Sequence, residues 1–491
     1  MSVGIHAFGG YVPIQRLQRK AIADANAWFN PGLRGLGKGE RSICNWDEDS
    51  VTMAVEAARE ALGGTGVDGI DAVYFASTTL PFQDRQNAGI IAEALHLGSD
   101  LLTMDIAGSQ RAGTTALTAA LKAATGGDRV VVAGGEKRRT KSASPMELTA
   151  GDGAGAVVVA EGDGAAKLLG RATHAVDFVD HYRGQDEAFD YVWEERWIRD
   201  EGYLKIIPIA IAAALEAAGV TAADITHFCL PLAAARVAGM IAKKCGLSDE
   251  SVRDNLQGKL GEAGSAQPLI MLVHALEDAK PGDKILVTGF GQGCDALIFE
   301  ATDAINDAKP ANGISGHLAR RREETNYNRF LGVNNLVTME QGLRSEVDKQ
   351  TGLTTLYRNK EMLLSLIGGK CSECGTLQYP KTNVCANPNC GAVNSQEDQP
   401  FSEMPAKLNS FTADSLTFSP DPPAFYGMVQ FEDGGRSMLD VTDVDPAVGL
   451  EVGQPLRMVF RIKEFDTKRG FRRYFWKATP VTELGTTQEG A

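Results

Sequence analysis

Two stretches of the chain repeat one order of elements. Residues 263–279, AGSAQPLIMLVHALEDA, read as a helix, and PGDKILVTGFGQG after them reads as a buried strand closed by glycines. In the first half AGTTALTAALKAA leads in the same way into GGDRVVVAGGE. A further apolar strand follows each time, GAVVVAEG in the first half and DALIFEAT in the second. A helix feeding a buried strand twice over predicts a duplicated α/β fold, two βαβ-rich halves packed face to face. At 491 residues the chain exceeds one ordinary core, so domains beyond that pair are expected.

The remaining first half reads as strands over 4–13 and 70–78 and helices over 19–28, 47–62 and 85–95. Gly151-Asp152-Gly153-Ala154 reads as a structural turn rather than a catalytic one. Residues 177–203, DFVDHYRGQDEAFDYVWEERWIRDEGY, are polar and aromatic with little periodicity. The four aromatic residues from Phe189 to Trp197 make this stretch a packed lid rather than a surface excursion.

Past residue 303 the composition turns polar and charged, with the basic run Arg320-Arg321-Arg322. Next comes KCSECGTLQYPKTNVCANPNCGA, whose spacing C-x2-C-x10-C-x4-C is that of a zinc ribbon. Four thiolates, from Cys371, Cys374, Cys385 and Cys390, close a tetrahedral Zn2+ site and leave no open position, so the metal is structural. The other four cysteines, Cys44, Cys229, Cys245 and Cys294, are scattered, which fits free thiols in a reducing cytoplasm. Short β-like runs such as FYGMVQF, RSMLDV, LRMVFRI and RRYFWKA over 405–480 suit a small five-stranded barrel.

A net charge of −14 argues against a nucleic-acid surface, in spite of a barrel type that often binds one. No apolar run reaches membrane-spanning length, and the first residues lack a signal-peptide pattern. A cytoplasmic protein with no membrane partner is expected.

The most informative turn lies between the apolar run LLTMDIA and the helix AGTTALTAALKAA. Gly108-Ser109-Gln110-Arg111 sits where a strand ends and a helix begins, facing unpaired N–H groups and a positive dipole end that suit a carbonyl oxygen or oxyanion. This turn resembles the nucleophile turn of the thiolase superfamily, and within it 3-hydroxy-3-methylglutaryl-CoA synthase, whose pattern is A-C-x-[GA]-G-T-x-A-L. The run D-E-D-x-x-T-M-A-x-E-A-A at 47–58 carries the same resemblance. Ribbon plus barrel resembles the rubredoxin-like zinc ribbon and OB-fold found as a partner of thiolases and synthases.

The resemblance implies an acyl-CoA thioester as substrate, with CoA phosphates as one conceivable partner for the basic triplet, and a homodimer through the thiolase-like part. It also locates three catalytic groups, and each is replaced. The nucleophilic cysteine falls on Gln110, the histidine of F-H-x-P on Cys229, and the glutamate of G-S-E-S on Thr78. The asparagine of G-N-T falls on Lys259. The G-S-G loop is kept as Gly289 to Asp295, so Gly291, Gly293 and Ser109 are candidate substrate-binding positions and Cys294 a candidate catalytic one. Gln110 either donates its amide N–H to the thioester oxygen or fills the space of an acylated cysteine. Cys229 is either a displaced nucleophile or a buried small hydrophobe. Lys259 either steers the thioester or a carboxylate or is a solvated surface lysine, and His274 reads as a packed or partly exposed helix residue. His181 and Tyr182 in the lid are candidates for the missing acid/base.

These replacements leave several functions open. The first is carbon–carbon bond formation or cleavage on an acyl-CoA without a covalent intermediate, of aldol or retro-aldol type. The others are acyl transfer through a relocated cysteine, decarboxylation, and a non-catalytic CoA-binding scaffold. The expected organisation is an N-terminal thiolase-like half over 1–162 and a C-terminal half with the lid over 163–302. Linker and connecting helices follow over 303–365, then the zinc ribbon over 366–400 and the OB-fold over 401–484.

Overall fold

Valine-rich runs with no polar face, such as VVVAGGE and GAGAVVVAE, need cover on both sides, and the fold supplies it. The computed structural model describes residues 2–63 and 65–481; positions 482–484 of the expected OB-fold lie outside them. The chain divides into two units: Met1–Cys44 with Asp49–Ala92 and Leu97–Phe330, and Asn45–Glu48 with Glu93–His96 and Leu331–Ala491.

The first unit carries a nine-stranded sheet. Its strands are Val3–Tyr11 (β1), Ala72–Ala76 (β2), Leu102–Ile106 (β3), Val130–Glu136 (β4), Gly153–Glu161 (β5), Ala166–Ala175 (β6), His227–Cys229 (β7), Lys284–Phe290 (β8) and Gly293–Ala301 (β9). Across the sheet they run β7-β8-β9-β6-β1-β5-β4-β2-β3. The helices that matter here are Ser50–Gly63 (α1), Ala112–Ala124 (α2), Leu204–Ala218 (α3), Ala235–Cys245 (α4) and Gln267–Asp278 (α5).

The duplication is explicit. In one half α2 leads into β4 and then antiparallel β5; in the other α5 leads into β8 and then antiparallel β9. The halves join edge to edge at only two residue pairs, Gly4 with Lys167 and Ile5 with Ala166. They also face each other across a middle layer, because α2 and α5 pack on one another and on strands of both halves. That position explains their composition. Small residues in α2 permit close approach, and α5 is buried along nearly its whole surface, with His274 half-buried on it. On the outer faces α1 covers β1, β4 and β5, while α3 covers β6 and β9 with α4 beside it.

The stretch 303–330, which reads as connector, belongs to the first unit. Its short helix Gly313–Ala319 begins on two carboxylates: Glu60 accepts from the backbone N–H of Asn312 and Gly313, and Glu277 from Ser315. Strand Arg322–Glu324 then pairs in parallel with Gln15–Gln18. Within the triplet, Arg321 Nε donates to Glu40 at 3.0 Å, so this arginine already has an anionic partner.

In the second unit, Ile367–Cys371 pairs with Leu377–Gln378 and Gln396–Pro400 to form the ribbon. The barrel is a five-stranded antiparallel sheet ordered Arg436–Asp440, Ala424–Phe431, Ala406–Asp414, Pro455–Asp466, Phe471–Pro480. Trp476, Phe460 and Tyr474 fill its core, and the buried Trp476 Nε1–H donates to Leu364 O at 2.7 Å. Among the described residues no helix is long and apolar enough to cross a membrane.

One side chain fixes the start of α2. The Asp295 carboxylate on β9 accepts from Arg111 Nη1 (3.0 Å), Thr173 Oγ1 (2.8 Å), Thr114 Oγ1 (2.9 Å) and Thr115 Oγ1 (3.0 Å). Asp295→Ala strands the Arg111 guanidinium and two α2 hydroxyls, so it should lower stability by about 3 kcal/mol in chemical denaturation. A loss under 1 kcal/mol would show that α2 is held by packing alone.

Candidate active site

The chain leaves β3 at Ile106, turns through residues 107–111 and enters α2 at Ala112, so the 107–111 turn ends on a helix N-terminus. Ala107 and Gly108 are exposed, and Ser109 and Gln110 half-buried, which makes the turn accessible. Ser109 Oγ donates to Gly291 O at 2.9 Å, tying the turn to the glycine loop between β8 and β9. Residue 291 has to be glycine: a Cβ there would lie 2.5 Å from Ser109 Oγ and about 3 Å from the backbone nitrogens of Gln110 and Arg111. Gly293 serves the sheet instead, since a Cβ would meet His174 O of β6 at 2.1 Å.

The lid contributes a two-stranded ribbon, His181–Tyr182 paired with Tyr191–Val192. It places His181 Nε2 3.1 Å from Gln110 Nε2, and His181 Nδ1 lies 3.1 Å from Asp180 Oδ2. With Asp180 accepting from Nδ1–H, the Nε2 lone pair is the acceptor for the Gln110 amide. Burial lowers the His181 pKa, but the hydrogen bond and charge of Asp180 outweigh it, so the imidazole titrates above its ordinary value. Tyr182, Tyr191, Trp193 and Trp197 line a hollow of about 230 Å3 together with Asp180 and His181. Trp197 stacks on Phe178 at 4.3 Å, while Tyr182, Tyr191 and Trp193 remain more than half exposed.

Two charged groups at the end of β4 complete the site. Arg138 Nη2 donates to the lid's Asp190 at 2.9 Å, and Arg183 Nη1 donates to the other Asp190 oxygen at 2.9 Å. Glu136 Oε1 accepts from Thr78 N (2.6 Å), Thr78 Oγ1 (2.9 Å) and Ser265 Oγ (2.6 Å), and Oε2 accepts from Thr79 Oγ1 (2.6 Å). A carboxylate thus reaches Thr78, the position where the resemblance places a glutamate. Asp152 of the Gly151–Ala154 turn is structural: its oxygens accept from the backbone N–H of Cys44 and Arg138.

Other sequence-derived candidates lie apart from this cluster. Cys229 and Cys294 are fully buried in apolar cores. Burial pushes the Cys229 thiol up to about 12; burial and the Asp295 charge raise Cys294 further still. Neither is a thiolate near neutral pH. Lys259 is exposed in the turn closed by its own N–H on Leu256 O. Of the sequence-derived set, Ser109, Gln110, Gly291 and His181 come together. Asp180, Asp190, Glu136 and Arg138 complete the site, signalled only by the acidic lid and the GGEKRR run, and Asp295 joins them from the end of the G-S-G-like loop.

In the second unit the sulfurs of Cys371, Cys374, Cys385 and Cys390 all lie within 4.8 Å of one another. The pairs Cys371–Cys390 and Cys374–Cys385 are 3.9 and 3.6 Å apart. Tetrahedral Zn–S bonds require sulfurs about 3.8 Å apart, so the four thiols fit a structural Zn2+.

The profile of the 3-oxoacyl-[acyl-carrier-protein] synthase III C-terminal domain matches residues 215–299. Profiles of the ChsH2 rubredoxin-like zinc ribbon and the ChsH2 C-terminal OB-fold domain match 363–393 and 399–461. The hydroxymethylglutaryl-CoA synthase of Aeropyrum pernix is 31% identical over 334 residues, 66% of this chain and 92% of that one. That of Pyrococcus horikoshii is 28% identical, covering 65% and 93%. Among solved structures, an HMG-CoA synthase complexed with CoA superposes with a TM-score of 0.59 at 22% identity, covering 72% of this chain and 96% of that one. The HMG synthase of the curacin biosynthetic pathway gives 0.60 at 16% identity, covering 82% and 100%.

Metal analysis of the purified chain should find one zinc per molecule. Cys385→Ser should release it and lower the unfolding midpoint of the second unit, read from Trp476 fluorescence. Full metal loss without a change in that midpoint would remove the structural role.

Proposed function

The chain belongs to the hydroxymethylglutaryl-CoA synthase family, and from that membership we propose that it makes or breaks a carbon–carbon bond in an acyl-CoA thioester by aldol or retro-aldol chemistry, with no cysteinyl intermediate. The observation that carries this reading is the His181 imidazole, oriented by Asp180 and held 3.1 Å from Gln110 Nε2 at the turn. An amide stands at the position where the resemblance places a nucleophile, with an imidazole beside it. The buried thiols of Cys229 and Cys294, the candidates for a relocated nucleophile, have raised pKa values that argue against acyl transfer through either one.

In the cleavage direction the Gln110 N–H gives up the Nε2 lone pair of neutral His181, which then takes the proton of the β-hydroxyl. The Cα–Cβ bond breaks, its electrons pass into the thioester as an enolate, and the β-carbon leaves as a carbonyl compound. A proton returned to Cα yields the shortened acyl-CoA. Such a base contributes about 10²–10⁴-fold, and donors aimed at the enolate oxygen about 10²–10³-fold more. The N-terminus of α2 is oriented to help that charge. A homodimer through the first unit belongs to the same proposal; β3 leaves an edge on which Leu102 is 57% exposed.

The test is incubation with 3-hydroxyacyl-CoA and assay of the released carbonyl compound and shortened acyl-CoA. Turnover is expected without a thiol-linked adduct in the intact mass, and His181→Ala should lose at least about 100-fold in kcat. CoA binding with no carbon–carbon turnover in either direction would leave the scaffold reading in its place. Because the base must be neutral, kcat/KM should fall on the acid side at a pH above the ordinary imidazole value. Asp180→Asn removes the groups that raise that pKa, so the acid limb should move to lower pH; an unmoved limb would assign the proton to another group.

A further inference from the structure

Two buried polar atoms beside the 107–111 turn have no hydrogen-bond partner, Gln110 Oε1 and Arg138 Nη1. They lie over the same backbone position. A Cβ on Gly264 would sit 2.7 Å from Gln110 Oε1 and 2.3 Å from Arg138 Nη1, so only glycine lets both approach. Their neighbouring nitrogens are bonded: Arg138 Nη2 is on Asp190, and Gln110 Nε2 is on His181. What is left is one buried acceptor and one buried charged donor, side by side and not bonded to each other.

The chemistry of that pair selects its occupant. A carboxylate would satisfy the guanidinium but face the amide oxygen lone pairs. An ammonium would do the reverse. A ketone or thioester oxygen accepts and gives nothing back. A hydroxyl accepts from Nη1 through its oxygen and donates its proton to Oε1. Resting on the thioester reading above, we infer that Arg138 Nη1 and Gln110 Oε1 recognise the β-hydroxyl of the acyl group, making Arg138 a specificity-determining residue. The two ends of the Gln110 amide then seat the hydroxyl and the imidazole, and proton transfer to His181 requires the Gln110 N–H to leave the Nε2 lone pair. The guanidinium charge favours the alkoxide oxygen as that proton departs.

The experiment compares two thioethers of CoA, a 3-hydroxyalkyl and the matching 3-deoxyalkyl, by calorimetric titration. Neither can form an enolate, so neither is turned over. The full-length protein should bind the hydroxyl form at least tenfold more tightly. Arg138→Met and, separately, Gln110→Met should erase that preference while keeping the affinity for the deoxy form, which also reports that each variant is folded. Equal affinities in the unaltered protein, or a preference that survives both variants, would overturn the inference and leave the pair to an ordered water. A preference without carbon–carbon turnover would sink the proposed reaction but keep the recognition; turnover without a preference would do the opposite. Failure to bind either thioether would remove both.

Discussion

The geometry around the 107–111 turn depends on one buried carboxylate. Asp295 gathers a guanidinium and three hydroxyls from α2, its preceding residue and β6. Taking a carboxylate out of water costs several kcal/mol, and a single partner would not offset that. Four donors and the adjacent helix N-terminus do. The reward is positional. The start of α2 is pinned to β9 of the opposite half, and Ser109 fastens the turn to the loop beside it. Neither contact involves the side chain of residue 110.

This separation lets an amide stand at position 110 without loosening the turn. In the pattern the chain resembles, position 110 is the nucleophile; here an amide occupies it and bonds a histidine delivered by the lid. The position of the partner histidine has become Cys229, a core residue on β7 packed toward α5. The glutamate position has become Thr78, and a carboxylate arrives there from β4 instead. At positions 110 and 78 a polar group from a different element stands nearby.

The duplicated halves, the ribbon and the barrel were legible because they rest on local patterns: valine runs, glycine stops and cysteine spacing. The family motif located the turn for the same reason. The cluster around Gln110 was legible only in part. His181 stood out as an ionisable group in the lid, but its partner at Gln110 is 71 residues away. Glu136 meets Ser265 across 129 residues. No periodicity encodes such meetings; they follow from how the two halves face one another. The stretch 303–330 misleads for a related reason. Its polar sequence looks like linker, yet its backbone N–H groups end on Glu60 and Glu277, whose availability no local pattern announces.

The lid ribbon joins two properties in one short piece of chain. Across its paired strands it bears the imidazole on one residue and aromatic wall on the next, His181 beside Tyr182 and Tyr191. A scaffold-borne base would let a lineage reshape its pocket while its reaction stayed constant. Here an insertion, deletion or register slip in about a dozen residues alters the imidazole and the aromatic wall together. Under the proposed function, one change in this ribbon would therefore shift the reaction and the substrate range at once.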